Sequence, residues 1–230
     1  MCVGGDTVKG YNLTDNTWVS YSAFNYNSVT ISATSKLRYT SQIYDGKLYC
    51  PSDSGTTMDI IDLSNNSYTS VTISDTSKPR RTSQIYNGKL YCPSNNSTTM
   101  DIIDLSNNSY TSVTISSTSK FRYTSQIYDG KLYCPSDNDT TMDIIDLSNN
   151  SYTSVTISDT SKIRWTTQIY NGKLYCPSSS GTTMDIIDLS NNSYTSVTIS
   201  STSKLRPTSQ IYNGKLYCPS SSGTTMDIIT

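Results

Sequence analysis

The chain has 230 residues and a formal net charge of −1; it contains no histidine and no glutamate, so its 18 acidic residues are all aspartate. That balance excludes the basic footprint of a nucleic-acid or anionic-membrane binder. No apolar run approaches the roughly 18 residues of a spanning helix, and the start, "MCVGGDTVKGYNL", lacks the basic-then-apolar pattern of a secretory leader. The expectation is a soluble chain with neither a membrane nor a nucleic-acid partner. Its 19 tyrosines and many threonines favour strands.

In chain order, the first stretch, "CVGGDTVKGYNLTDNTWVSY", reads as short strands, and "VTIS" follows at residues 29–32. A 42-residue unit begins at Thr40: "TSQIYDGKLYCPSDSGTTMDIIDLSNNSYTSVTISDTSKPRR". It divides into four strands. "TSQIY" is the first, and "DG" then gives the strongest short hairpin signal, because a type I′ turn needs positive φ at both central residues. "KLYCPS" is the second strand, with Pro51 near its end where no donor is needed. After the loop "DSGT" comes the third, "MDIIDL"; "SNNS" then turns the chain into the fourth, "YTSVTIS". No stretch carries a helical apolar period.

The unit recurs with a constant spacing of 42, seen in Cys50, Cys92, Cys134, Cys176 and Cys218. A period of this size marks an array, solenoid or propeller. Four antiparallel strands in about 40–50 residues make one propeller blade; a β-solenoid of the same period is the other reading. The expected organisation is a single all-β domain, residues 1–230, forming a five-bladed β-propeller. Full repeats span 40–81, 82–123, 124–165 and 166–207, with a partial repeat at 208–230. Residues 1–32 are expected to close the ring by supplying strand to the C-terminal blade, which ends before its fourth strand. Residues 1–25 instead begin a sixth blade in the alternative count.

"NGKLYC" resembles the kelch-repeat hairpin, and "DIIDLSNNSYTSV" resembles the kelch strand that usually ends in tryptophan. The N-terminal stretch is closer, with a glycine doublet at Gly4-Gly5 and Trp18. In the later copies the doublet becomes Pro-Ser and the tryptophan becomes Tyr68, Tyr110, Tyr152 and Tyr194. The resemblance covers almost the whole chain and implies a kelch-like propeller, many of which are protein-interaction platforms.

Differences between the copies cluster. One position carries Leu37, Pro79, Phe121, Ile163 and Leu205; two residues on stand Tyr39, Arg81, Tyr123, Trp165 and Pro207. Between them is an unvarying arginine: Arg38, Arg80, Arg122, Arg164 and Arg206. A second cluster follows "CPS" and includes Asp53, Asn95, Asp137 and Asp139. In an antiparallel meander alternate connections share an end, so both clusters are expected on one face. Tyr, Trp, Arg and Phe are the residue types enriched in binding hot spots. The candidate ligand-binding set is therefore Tyr39, Arg81, Tyr123, Trp165, Phe121, Asp53, Asn95, Asp137 and Asp139. The five arginines either crown a channel mouth as an anion ring or bond between blades. Drift in indifferent loops is the bland account of the same variation.

Without histidine, Ser–His and Cys–His nucleophilic systems are impossible. Each cysteine stands alone in its repeat, too far from the next for a disulfide, and reads as a small buried apolar residue. Free thiols lean toward a reducing, cytoplasmic compartment. Asp53, or Asp137 with Asp139, offers hard oxygen for calcium, but their spacing fits no calcium loop, so no metal or cofactor is expected. The reading is a non-catalytic, monomeric binding module. Resemblance to small repetitive propeller lectins implies a glycan ligand; a protein–protein platform, or an amplified scaffold without a ligand, is the alternative.

Overall fold

The computed structural model describes residues 7–12, 17–22, 28–221 and 223–230. The chain divides into two compact units, Met1–Thr30 and Ile31–Thr230. In the first, β1 (Thr7–Asn12) and β2 (Thr17–Ser22) form an antiparallel hairpin with Thr7 opposite Ser22.

The second unit is a series of five antiparallel sheets, one per repeat. Sheet 1 contains β3 (Gln42–Tyr44), β4 (Lys47–Pro51), β5 (Thr57–Asp62) and β6 (Tyr68–Thr72). Sheet 2 contains β7 (Gln84–Tyr86), β8 (Lys89–Pro93), β9 (Thr99–Asp104) and β10 (Tyr110–Thr114). Sheet 3 contains β11 (Gln126–Tyr128), β12 (Lys131–Pro135), β13 (Thr141–Asp146) and β14 (Tyr152–Thr156). Sheet 4 contains β15 (Gln168–Tyr170), β16 (Lys173–Pro177), β17 (Thr183–Asp188) and β18 (Tyr194–Thr198). Sheet 5 has three strands: β19 (Gln210–Tyr212), β20 (Lys215–Pro219) and β21 (Met226–Ile229). Strand order follows chain order in every sheet.

Local chemistry sets these elements. Asp45 and Gly46 both have positive φ (46° and 68°), as do Asn87 and Gly88, so the first hairpin is the type I′ turn that the dipeptide favours. The "SNNS" turn is equally specified. Asp62 Oδ1 accepts from the Ser64 N–H at 2.8 Å, Asn65 Oδ1 accepts from the Ser67 N–H at 2.8 Å, and Asn66 sits at φ 60°. This turn is invariant because each of its residues meets a defined demand.

The core lies between sheets, since residues alternate across each strand. Tyr49, Met58, Ile60 and Ile73 of sheet 1 pack on Leu90, Cys92, Ile103 and Leu105 of sheet 2. The same pairing recurs between sheets 2 and 3, 3 and 4, and 4 and 5. Cys92, Cys134, Cys176 and Cys218 are free and buried in these layers, and Cys50 is free and buried on the other face of sheet 1.

Cover is incomplete on the outer faces of the first and last sheets. Leu63 of sheet 1 is 44% exposed where Leu105 is 9%, and Met226 of sheet 5 is 45% exposed where Met184 is 0%. Among the described residues β21 has no strand along its outer edge, and residues 28–32, which carry the "VTIS" match, lie in no strand. Residues 1–6, 13–16 and 23–27, on which much of the expected closing segment falls, lie outside the described residues.

Candidate binding mouth

The link from each fourth strand to the next first strand builds the site. It runs beside the loop between second and third strands: the Asp53 N–H donates to Leu37 O at 2.8 Å, and isolated bridges join Gly55 to Lys78 and Asp139 to Lys162. The two variable clusters therefore share one end of the sheets.

The invariant arginines turn away from that end into the layer between sheets. Arg80, Arg122, Arg164 and Arg206 are wholly buried. Arg80 donates from Nη2 to Asp101 Oδ2 at 2.7 Å and from Nη1 to Ser52 O and Gly55 O at 3.1 and 2.6 Å, tying sheet 2 to the sheet 1 loop. Arg122 makes the equivalent bonds to Asp143, Ser94 O and Ser97 O at 2.8, 3.0 and 2.7 Å. Each carboxylate also receives a lysine: Lys78 on Asp101 and Lys120 on Asp143, both at 2.8 Å. Arg38 pairs with Asp59 in the same way and keeps 19% exposure. Burial alone would raise the Asp59 carboxyl, but hydrogen bonds from Lys36, Ser70 and Arg38 outweigh it and bring its pKa from 3.8 to about 2. With their guanidinium groups committed to these partners, the four buried arginines present no anion-binding crown.

Three residues set toward a ligand by the sequence reading also face inward. Asp53, Asn95 and Asp137 each accept a backbone N–H through a side-chain oxygen, from Arg80, Arg122 and Arg164 at 2.9, 2.7 and 2.6 Å. Burial is the main cause that raises the Asp137 carboxyl above its ordinary value. Asp139 caps its own loop, accepting from the Thr140 N–H at 2.6 Å and the Thr141 hydroxyl at 3.1 Å. The first three side chains hold the link in place, and Asp139 holds the loop beside it. Among the described residues no cluster of three or more cysteines or aspartates is arranged to hold a metal ion. The Phe121 side chain is exposed, while its backbone bridges to Asp137.

Because side chains alternate along the extended link, the residue after each arginine points outward. Tyr39 and Trp165 are 53% and 38% exposed. Arg81, Tyr123, Trp165 and Pro207 converge on one cavity of about 270 Å³, to which all five sheets contribute. Its wall is a polar belt that the sequence reading did not single out as a site. Thr40 Oγ1 meets Ser83 Oγ at 2.6 Å, Thr82 meets Ser125 at 2.7 Å, and Thr124 meets Thr167 at 2.8 Å. Gln42 Nε2 donates to Ser83 O and Gln84 Nε2 to Ser125 O, each at 2.8 Å. Every contact crosses from one sheet to the next. The signal lay in "TSQIY", where Thr and Gln two apart put polar groups on one face of the first strand of each sheet.

Arg81 stands out on this rim. Its guanidinium lies 3.7 Å over the Tyr39 ring and 6.0 Å from the Tyr123 centroid. Its Nε is 3.6 Å from Asp53 Oδ1, an ion pair too long to be a hydrogen bond.

No family model matches the chain, and no curated protein matches it; the kelch resemblance rests on the sequence motifs alone. Among solved structures the chain is similar to virginiamycin B lyase from Staphylococcus aureus. The selenomethionine-substituted enzyme aligns with a TM-score of 0.71 at 13% identity, over 98% of this chain and 74% of that one. A catalytically inactive histidine-to-alanine variant with quinupristin aligns with a TM-score of 0.71 at 14% identity over the same shares. At such identity the likeness establishes fold alone: this is a repeat all-β protein of propeller type.

Proposed function

We propose that the chain is a non-catalytic, lectin-like module that takes a saccharide at the mouth of the cavity. One observation carries this reading: aromatic side chains rim a cavity whose wall is hydroxyl and amide. Tyr and Trp faces cover the apolar face of a sugar ring, and hydroxyls and amides match its hydroxyls. The site is single and asymmetric, because Arg81, Tyr123, Trp165 and Pro207 meet around one opening. In the same reading the five sheets are five blades of a ring, and the open faces of sheets 1 and 5 belong to its closing seam.

The absence of histidine supports a binding role. The similar lyase has an inactive variant made by replacing a histidine, and this chain has no histidine. Asp59, Asp101, Asp143 and Asp227 support it too, since each is held by lysine and arginine.

A protein–protein platform is the second reading, favoured by the unlikeness of Tyr39, Arg81, Tyr123 and Trp165. A glycan array probed with the native chain and with Trp165→Ala separates the two. Saccharide binding that Trp165→Ala abolishes is the expected result. Silence across the array would reject the lectin reading in favour of a protein partner.

A further inference from the structure

Among the described residues, Arg81 is the one charged side chain that lines the cavity. The other repeats place Tyr39, Tyr123, Trp165 and Pro207 at its position, so a cation there is not needed to build the link. Its surroundings hold it ready for a ligand. The Tyr39 face fixes the guanidinium plane at 3.7 Å. Its Nε is buried with no hydrogen-bond partner, and the side chain as a whole keeps 26% exposure.

Asp53 does not satisfy this cation. Its Oδ1 already accepts the Arg80 N–H at 2.9 Å, and its Oδ2 accepts from the Ser54 hydroxyl at 3.2 Å. The remaining attraction to Arg81 acts across 3.6 Å without a hydrogen bond. The terminal nitrogens of Arg81 thus form an oriented planar fork on the cavity rim. That geometry matches a carboxylate, which it can grip through two parallel bonds.

From this we infer that the ligand is an acidic sugar: a saccharide residue bearing a carboxylate, seated with its carboxylate on Arg81. The inference rests on the saccharide reading of the mouth and names its ligand class. Trp165, from another link of the same rim, offers a face for the sugar ring. The Thr82–Ser125 pair and the Gln84 side chain offer partners for its hydroxyls. A cavity of about 270 Å³ falls just below the range of about 300–1,000 Å³ usual for drug-sized ligands and suits a single sugar ring.

The test is calorimetric or NMR titration of the full chain with D-glucuronate, D-galacturonate, D-glucose, D-galactose and acetate. One of the two uronates should bind roughly tenfold or more tightly than its neutral counterpart, as expected for a hydrogen-bonded charge, and more tightly than acetate. Arg81→Gln should remove that preference, so that uronate and neutral sugar bind alike, and Arg81→Lys should restore only part of it. Arg81→Tyr, which installs the residue found at the equivalent positions 39 and 123, guards against misfolding and should behave as Arg81→Gln does. Equal binding of uronates and neutral sugars, or a preference that survives Arg81→Gln, would overturn the acidic-sugar assignment and leave the saccharide reading standing. Acetate binding as tightly as the uronates would overturn it in favour of a carboxylate site indifferent to sugar. No binding of any sugar would overturn both. A uronate oligosaccharide run beside the free sugars tells whether the carboxylate is read within a polymer or alone.

Discussion

Replacing Arg122 by methionine should test the layer between sheets most severely. Arg122 and Asp143 are both wholly buried. The change removes one of two cations from Asp143 and strips the donor from Ser94 O and Ser97 O. Breaking a buried pair from one side costs about 3–5 kcal/mol. Lys120 remains on Asp143 at 2.8 Å and offsets part of that loss, while the two orphaned carbonyls add about 1–3 kcal/mol each if water cannot reach them. The expected net loss is about 3–5 kcal/mol. At about 2–4 °C per kcal/mol for a unit of this size, Tm should fall by roughly 6–20 °C. Urea unfolding followed by circular dichroism measures it, and Arg38→Met, at a partly exposed position, should cost less. A loss under about 1 kcal/mol for Arg122→Met would refute the argument, because it would mean that these charges are solvated in the folded chain.

Three further outcomes are expected. The Asp59 pKa is depressed in the folded chain, so its contribution to stability is present above about 3.8 and lost as pH falls toward about 2. Urea midpoints should therefore drop across that window, and Asp59→Asn should flatten this part of the drop; an unchanged pH profile would contradict the pairing. The Cys92, Cys134 and Cys176 thiols are pushed up to about 12 by burial. They should resist a thiol reagent at pH 8 until the chain unfolds, and rapid native labelling mapped to them by mass spectrometry would contradict the packed layers. Trp165→Ala should cost under about 1 kcal/mol of stability, as expected for an exposed side chain away from the core. A loss of several kcal/mol would make Trp165 a packing residue.

Much of this arrangement was legible in the repeat. "DG" and "NG" specify their own turns through paired positive φ values, and "MDIID" reads as a strand buried on both faces because it packs a sheet on each side. The common end of the two variable clusters followed from antiparallel connectivity alone. Side-chain direction was harder to read. Asp53, Asn95 and Asp137 look like ligand donors on a loop, yet each satisfies a buried N–H one link away, a contact across about 27 residues that no local pattern reports. The arginines presented the same ambiguity, and it took Asp101 and Asp143, on the third strands, to turn them inward. The invariance of "SNNS" also has a structural cause, so its contrast with the variable loops says less about selection for binding than the bare sequence suggests.

The proposed function places one saccharide site on each chain, at the rim that holds Arg81, Tyr123 and Trp165. Calorimetric titration with the saccharide that binds best on the array tests it most directly, by counting sites. One equivalent per chain, lost in Trp165→Ala, is the predicted result. Five equivalents per chain, or one that persists in Trp165→Ala, would contradict the claim, because the ligand would then sit on each repeat or away from this mouth.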